Sequence, residues 1–427
     1  KELKVGGNNI EYIRSSFSDK DSELRHCRLI FDSYRNHLED IQRWQKRETL
    51  PEKLQLPIKV MLLGNHSSGK STFLNSLCKR KKKIGSTHVL RVVKQEKLGA
   101  NFYDFGGQDF YHGIYHTFYS AGALYMLFWQ QELDKNSRGE ELLKGEDANR
   151  HKVLNFNRNY WLGQIRYADR QRRIVGRDSS DGENILVVQT YADRDHQQNL
   201  KEGAFSVREE FYIALERNSQ ETGEQQGLLQ RRDKAAMRYL RFRLEEEIAH
   251  LREKMSIDVT DSEEILYNYI LQRTLSLEES YDPIPIKRLR RAMVKNGYTD
   301  TLSSLKGDLH QLYLHGEVLY YKDDKDLSDL VWLDPEATVN YIHSKILNKD
   351  SVGTGIVTKR TLLRIDKNLV RLLELEKVIY RNGEEYIIPG YLPLAEGDEM
   401  YEWLKLSYLQ PNITLKFEHF IPFGLIN

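Results

Sequence analysis

Residues 58–77 read IKVMLLGNHSSGKSTFLNSL, an apolar run followed by a glycine-rich loop and then by a second partly apolar segment. The loop Gly64–Ser71 matches GxxxxGK[ST], and the order strand, loop, helix is the context in which this pattern marks a phosphate-binding loop. Glycines let successive N–H groups turn towards phosphate oxygens, and the helix N-terminus adds positive potential. Lys70 is placed to bridge the outer phosphates and Ser71 to ligate Mg²⁺. These flanking elements disfavour the alternative of an ordinary Gly/Ser turn.

Composition narrows the class of protein. With 427 residues the chain exceeds one compact core, so two or three domains are expected. A net charge of +1 gives no overall attraction to nucleic acid or membranes. Cys27 and Cys78 form neither a disulfide framework nor a metal-binding pattern, which indicates a reducing, cytoplasmic compartment. No apolar run reaches about 20 residues, so no transmembrane segment is expected, and no signal peptide opens the chain.

Strand and helix patterns alternate from residue 58 to about residue 220, which is typical of an α/β domain with a largely parallel sheet. The predicted strands are 58–63, 89–93, 101–103, 123–129, 185–189 and 211–215. The second and third of these are placed to pair as a hairpin. A polar insertion at about 131–152 precedes a helix that carries Phe156, Tyr160, Trp161 and Ile165.

The third predicted strand runs into Asp104-Phe105-Gly106-Gly107-Gln108. After a phosphate-binding loop, an aspartate at a strand end can hold Mg²⁺ through water, and the Gly107 N–H can meet a γ-phosphate. Gln108 stands where a GTPase places the residue that orients the attacking water. Asp-x-x-Gly is common by itself, but in this position it indicates nucleotide hydrolysis.

The strand at 185–189 ends in Thr190-Tyr191-Ala192-Asp193, where GTPases carry Asn-Lys-x-Asp. The aspartate of that motif accepts hydrogen bonds from guanine N1 and the 2-amino group, and adenine offers no matching donors. Asp193 therefore favours GTP over ATP. The match is partial, because Thr190 replaces the asparagine and Tyr191 replaces the lysine that packs along the base. An ATP-using signalling P-loop protein stays open as an alternative.

The P-loop, the extended Asp104–Gln108 motif and the Thr-x-x-Asp motif together resemble the Roc GTPase of the Roco family. In that family a COR module follows the GTPase, and residues 334–342 and 420–426 resemble COR segments. The resemblance covers about residues 50–427 and is closer to bacterial-type members without a kinase domain. It implies an α/β P-loop GTPase, Ras-like with a mixed six-stranded sheet, followed by an α+β COR module with winged-helix-like parts.

The resemblance also implies slow GTP hydrolysis with Mg²⁺ as cofactor, in which Gln108 and Lys70 are catalytic. Ser71, Asp104 and Thr87 are the candidate metal ligands, with Thr87 as the first-switch threonine. The interval from Ser71 to Asp104 is short for this family, so either the first switch is abbreviated or residues are missing from the sequence. The residues predicted to bind GTP or GDP are Gly64, Asn65, His66, Ser67, Ser68, Gly69, Lys70, Ser71, Thr72, Asp104, Gly107, Thr190 and Asp193.

The domain organisation is expected to have four parts. Residues 1–49 form a linker with a docking helix over 24–41, and the family resemblance places leucine-rich repeats ahead of it. The Roc GTPase follows over 50–226, the N-terminal COR subdomain over 227–410, and the start of a C-terminal COR subdomain over 411–427. In Roco proteins the last of these carries the homodimer contact. We therefore expect part of a longer protein that dimerises through COR when intact, and weakly or not at all as this fragment.

Hairpins in the COR-like part favour winged-helix units. One pairs residues 318–321 with 330–333 around an acidic turn, and another turns at Asn382-Gly383. Winged helices often bind DNA, and residues 287–291 are basic, but the acidic turn would repel a duplex. We expect a protein-interaction module and no nucleic-acid partner.

Two functions from different classes fit these patterns. The first is a GTPase whose nucleotide state shifts COR and dimer geometry. The alternative is a non-catalytic, nucleotide-gated interaction scaffold in which the bound nucleotide is structural. Binding without turnover would distinguish the second from the first.

Overall fold

A computed structural model of the chain gives the fold. It describes residues 2–4, 28–31, 34–36, 56–78, 89–107, 112–115, 117–119, 123–134, 137–142, 150–171, 184–192, 207, 209–213, 223–254, 261–276, 281–348 and 352–392. None of the helices in these ranges combines the length and the apolarity that crossing a membrane requires.

The described residues of the N-terminal region form short strands, and the last two of them lie where a helix is predicted. The strands are β1 (Glu2–Lys4), β2 (Arg28–Phe31) and β3 (Tyr34–Asn36). β1 pairs with β2 in parallel, and β2 pairs with β3 in antiparallel fashion. The helix over 24–41 is therefore wrong for the described residues. Ile30 and Phe31 favour strands, and the intervening Asp32-Ser33 is a turn-forming pair, which outweighs the apolar periodicity.

The next part of the chain forms an α/β domain. Its elements in chain order are β4 (Ile58–Leu63), α1 (Lys70–Leu77), β5 (Leu90–Gln95), β6 (Ala100–Phe105), α2 (His112–Tyr115), β7 (Leu124–Trp129), β8 (Ser137–Leu142), β9 (Arg150–Asn155), α3 (Arg158–Gln171), β10 (Ile185–Gln189), β11 (Glu209–Tyr212) and α4 (Gly223–Lys254). β8 and β9 form a separate antiparallel hairpin inside the polar insertion.

The central sheet has six strands in the order β11-β10-β7-β4-β6-β5. Every neighbouring pair is parallel except the edge pair β5 and β6. All residues of β4, β6, β7 and β10 are buried, as expected for strands covered by helices on both faces. The predicted Ras-like mixed sheet is confirmed, including the β5–β6 hairpin.

Helices cover the sheet on both faces. One apolar layer brings α1 and α4 together, and its residues include Phe73, Leu74, Phe102, Leu240, Leu244, Ile248 and Leu251. On the other face Trp161 and Leu162 of α3 pack in a second layer. The sequence places α4 in the COR module from residue 227 onward, whereas its apolar side shares a layer with α1. We therefore propose a domain boundary between Lys254 and Asp261.

An α+β module follows this boundary. Its elements are α5 (Asp261–Ser276), β12 (Ile284–Pro285), α6 (Ile286–Val294), α7 (Leu302–Leu314), β13 (Leu330–Val331), α8 (Pro335–Tyr341), β14 (Ile356–Thr358), α9 (Lys359–Ile365), α10 (Lys367–Leu375), β15 (Tyr380–Asn382) and β16 (Glu385–Ile387). α9 and α10 lie in the chain between β14 and the β15–β16 hairpin, and the three strands form an antiparallel sheet of order β14-β16-β15, which is a winged-helix arrangement. The predicted second hairpin is confirmed.

The first predicted hairpin of this module is wrong in part. The backbones of residues 318–321 and 330–333 pair only at an isolated bridge between Leu319 and Trp332. β13 pairs instead with β12, in antiparallel register. Residues 393–427, which include the predicted second COR subdomain at 411–427, lie outside the described residues.

Candidate functional site

The loop between β4 and α1 has the backbone form of an anion-binding turn. Gly64 has φ of 134°, Ser67 has φ of 58° and Gly69 has φ of 92°, so three residues of the loop have positive φ. Gly69 is also the N-cap of α1, where the absence of a Cβ makes that conformation inexpensive. Alternation between left- and right-handed backbone turns successive N–H groups to one side and forms a concavity for anions. The helix end that follows adds positive potential.

Lys70 lies across this loop and is buried. Its Nζ donates to the carbonyl oxygens of Gly64 at 2.7 Å and Asn65 at 2.8 Å. Burial lowers the pKa of Lys70 from 10.5 to about 8, and the negative charge of Asp104 partly opposes this shift. A phosphate group beside Nζ would favour the ammonium form in the same way. Lys70 is therefore a buried cation whose charge responds to an anionic ligand.

Asn65 anchors the loop to the segment before α3. Its Nδ2 donates to the carbonyl oxygens of Leu133 at 3.0 Å and Phe156 at 2.8 Å. Its Oδ1 accepts from the Phe156 N–H at 3.0 Å and from Trp161 Nε1 at 3.2 Å. The Asn65 side chain thus positions the loop. The main chain of Asn65 is the part predicted to contact phosphate.

Thr190 connects the predicted base-recognition loop to the P-loop. Its side chain is buried, and Oγ1 donates to the carbonyl oxygen of Ser68 at 2.9 Å, with Trp129 O at 3.2 Å as a second acceptor. The next residue, Tyr191, has φ of 54° and begins a turn directly after β10. The hydroxyl of Thr190 therefore fixes the distance between the two loops that a nucleotide would span.

Asp104 lies near the carboxyl end of β6, in register with Leu62 of β4, and is fully buried. Its Oδ2 accepts a charge-assisted hydrogen bond from Arg91 Nη2 at 2.7 Å. The chain that continues from Asp104 packs against the main chain of the P-loop at Gly107, so this end of β6 lies beside the loop. Ser71 follows Lys70 in the first turn of α1.

The oxygen donors of this site suit Mg²⁺. Mg²⁺ prefers oxygen ligands and is usually held by one or two carboxylates together with phosphates and water. Asp104 and Ser71 supply a carboxylate and a hydroxyl beside the P-loop, which is a donor set of that kind. Among the described residues, no group of three or more His, Cys, Asp or Glu side chains is placed to hold a metal ion. These residues fit a magnesium ion that binds together with a nucleotide.

Gly107 lies directly against the P-loop. A Cβ added to Gly107 would stand 2.4 Å from the main-chain nitrogen of His66, so no larger residue fits without backbone movement. The preceding residue is also held, because the buried Tyr115 hydroxyl donates to the Gly106 carbonyl. The structure thus brings the Asp104–Gly107 segment to the loop as the motif predicts.

Three predicted site residues lie outside the described part of the chain: Thr87, Gln108 and Asp193. For Gln108 and Asp193, the structure describes the residue immediately before each, Gly107 and Ala192. Their roles as first-switch ligand, water-orienting group and guanine acceptor remain predictions from the sequence.

The sequence motifs do not indicate two features of the site. Arg91 pairs with Asp104 because the two residues face each other in the β5–β6 register, which the hairpin spacing around Gly99 would have predicted. Asn65 binds the start of α3 through contacts across 91 and 96 positions of sequence, and no local signal indicates them.

Comparisons with known proteins agree with this geometry. Residues 59–166 match the family model described as "Ras of Complex, Roc, domain of DAPkinase". The solved structure of Methanosarcina barkeri Roco2 RocCORdC bound to GDP is 18% identical and has a TM-score of 0.51, with 81% of this chain and 99% of that chain covered. A search of curated proteins gave no match.

Two Trypanosoma brucei structures are similar over 42% of this chain. The GTP-bound IFT22/74/81 structure is 18% identical, with 95% of that chain covered and a TM-score of 0.23. The small GTPase Arl6 BBS3 with the bound nucleotide analogue GppNp is 17% identical, with 99% of that chain covered and a TM-score of 0.25.

The sheet order, the P-loop and the Asp104–Gly107 segment define a P-loop protein with the Ras-like GTPase fold. Within that class, residues 59–166 match the Roc model, and the fold over most of the chain is similar to that of a RocCOR structure, with a Roc domain followed by a COR-like module.

Proposed function

We propose that this protein binds GTP and GDP with Mg²⁺, hydrolyses GTP slowly, and transmits its nucleotide state to the COR module. The observation that carries the proposal is the convergence of the P-loop, Asp104, Gly107 and Thr190 at one edge of the sheet. Such a constellation serves phosphoryl transfer, in which positioning and charge stabilisation supply most of the catalysis.

Each residue then has a distinct role. Lys70 balances the charge of the outer phosphates, the Gly107 N–H contacts the γ-phosphate, and Gln108 orients the attacking water. Asp193 accepts hydrogen bonds from guanine. Mg²⁺ would be held by Ser71 and Asp104, with Thr87 as a further ligand, and would neutralise charge on the phosphate oxygens.

Contacts between the Roc domain and the COR module support the proposed output. Val92 N on β5 donates to Glu336 Oε2 at 2.9 Å, and Asn340 Nδ2 donates to Leu90 O at 3.3 Å. Lys94 of the same strand pairs with Glu317 at 3.0 Å. β5 lies in the interval between the P-loop helix and Asp104, where Ras-like proteins respond to nucleotide. A movement of β5 would therefore reach COR directly.

Single-turnover release of phosphate from GTP tests the enzymatic part. The parent protein is expected to release phosphate slowly, Gln108→Ala to retain binding with turnover reduced at least about tenfold, and Lys70→Ala to lose most binding. Binding of GTP without release of phosphate by the parent would favour the nucleotide-gated scaffold instead.

Competition between GTP and ATP tests base recognition. The parent is expected to prefer GTP, and Asp193→Asn to lose that preference while Asp329→Asn keeps it. Asp329 is a matched control because its carboxylate is 71% exposed and lies in the COR module. ATP preference in the parent would exclude guanine recognition.

Sedimentation in GDP and in a GTP analogue tests the proposed switch. We propose that the protein forms a homodimer through COR whose stability depends on the nucleotide. A sedimenting mass that is the same in both nucleotides would exclude a dimerisation switch.

A further inference from the structure

The ion pair between Arg91 and Asp104 joins the edge strand to the predicted metal ligand. The two residues are register partners on β5 and β6, and their charged groups meet at 2.7 Å. Side chains two positions apart in a strand share a face. Val93 and Phe102, two positions from Arg91 and Asp104, pack in the apolar layer that contains α1. The ion pair therefore lies on the face of the sheet that carries the P-loop helix.

The guanidinium of Arg91 is only partly satisfied. Within the part of the chain that the structure describes, its buried Nε and Nη1 have no hydrogen-bond acceptor. The bond from Nη2 to Asp104 is therefore its charge-assisted contact among these residues. Arg91 also keeps a route to water, because 16% of its side chain is exposed, whereas the Asp104 side chain is fully buried.

The main chain around Arg91 is held by the COR module. In an antiparallel edge strand, alternate residues direct their main-chain groups away from the partner strand. Leu90 O and Val92 N point outward in this way and bond to Asn340 and Glu336 of α8. The backbone on both sides of Arg91 is thus fixed while its side chain meets Asp104.

We propose that Arg91 is a positioning residue that competes with Mg²⁺ for the Asp104 carboxylate and so raises the Mg²⁺ concentration needed to retain nucleotide. This inference rests on the proposed function. A carboxylate oxygen that accepts a hydrogen bond from a guanidinium is engaged, and a second cation nearby is repelled by the first. A metal ion or its bound water that uses Oδ2 of Asp104 therefore requires Arg91 to release that oxygen and turn towards solvent. In doing so Arg91 exchanges one contact for hydration of donors that are otherwise unsatisfied.

Release of the fluorescent nucleotide mant-GDP over a titration of Mg²⁺ tests this inference. The measured quantity is the Mg²⁺ concentration at which release is half-maximally slowed. Arg91→Met is expected to lower it about tenfold, since one charge-assisted hydrogen bond is removed from the competition. Arg91→Lys, which keeps a cation opposite Asp104, is expected to restore most of the parent value. Lys94→Met is the control, because it removes a cation from the same strand that pairs with Glu317.

The outcomes separate this inference from the proposed function. A parent protein that does not bind mant-GDP would refute the proposed function itself. Binding with an unchanged or raised Mg²⁺ midpoint in Arg91→Met would overturn only the role of Arg91. An equal shift of the Mg²⁺ midpoint in Lys94→Met would also overturn it, because the effect would then come from the overall charge of β5. If Arg91→Met does not fold, Arg91→Gln is read by the same criteria.

Discussion

The P-loop and the outer edge of β5 border the same site, yet different parts of the chain hold them. The P-loop is fixed from within the Roc domain, by Asn65 on the start of α3 and by Thr190 on Ser68. The edge of β5 is fixed from the COR module, through Glu336 and Glu317. The phosphate-binding loop is therefore held within one domain, whereas the strand predicted to respond to nucleotide pairs with β6 on one side and takes the hydrogen bonds of its outer edge from a second domain.

The largest expected effect is a loss of stability when the anchor of the P-loop is removed. Asn65→Leu keeps the side-chain volume but leaves Trp161 Nε1 and the Phe156 N–H without their acceptor. Stranding two buried donors is expected to lower the free energy of unfolding by about 3 kcal/mol. Chemical denaturation measures this loss.

Asn157→Ala is the matched control for that experiment. Asn157 Oδ1 accepts from the Tyr160 N–H at 3.0 Å, so this change removes that capping bond at the start of α3. Its expected cost is about 1 kcal/mol. If Asn65→Leu costs no more than Asn157→Ala, Asn65 does not anchor the loop.

The second prediction concerns the contact between the COR module and β5. Glu317 is buried, and its carboxylate accepts from Lys94 and from Asn101. Glu317→Gln removes the charge at constant shape, which is expected to cost about 2 kcal/mol of unfolding free energy and to speed amide exchange along β5. Mant-GDP affinity is expected to change less than about twofold, because the P-loop keeps its own anchors.

Glu245→Gln makes the same chemical change in an exposed helical ion pair with Arg241. Such pairs contribute about 0.5 kcal/mol or less. Equal effects of Glu317→Gln and Glu245→Gln on β5 exchange would mean that Glu317 does not couple the domains.

The same division explains what the sequence could and could not reveal. The P-loop, Asp104 and Gly107 are short motifs beside buried strands, so local patterns located them and the order of strands around them. Glu336 meets Val92 across 244 positions, and neither residue carries a motif that points to the other. The sequence places α4 in COR, because its charged residues do not indicate which apolar layer Leu240 joins. Arg91 lies between these two cases. The register of the β5–β6 hairpin predicts its partner Asp104, but no motif indicates a role for it.

The third prediction returns to the P-loop through pH. The pKa of Lys70 is lowered to about 8 by burial, so the lysine loses its proton as pH rises through that value. Phosphate binds the ammonium form, which means that affinity is complete below about pH 8 and falls as pH rises above it, by about tenfold per pH unit. Mant-GDP dissociation constants from about pH 7 to about pH 9 measure the slope.

Lys70→Arg supplies the control, since arginine stays protonated over this range. Its affinity is expected to be lower than that of the parent but independent of pH. A parallel slope in both proteins would assign the dependence to another group.

The smallest expected effect concerns the hydrogen bond that closes the edge of β5. Glu336→Gln replaces a charged acceptor of the Val92 N–H with a neutral one of the same shape. Charge-assisted bonds are stronger than neutral ones, so the opening free energy at Val92 is expected to fall by about 0.5 kcal/mol. Amide exchange at Val92 should then be about twofold faster, while exchange in β4 stays unchanged. Faster exchange throughout the sheet would show that Glu336 stabilises the whole Roc domain, and equal exchange at Val92 would show that COR holds β5 through Glu317, Asn340 and packing. Only a local change at Val92 supports a main-chain contact through which COR senses the strand that presents Arg91.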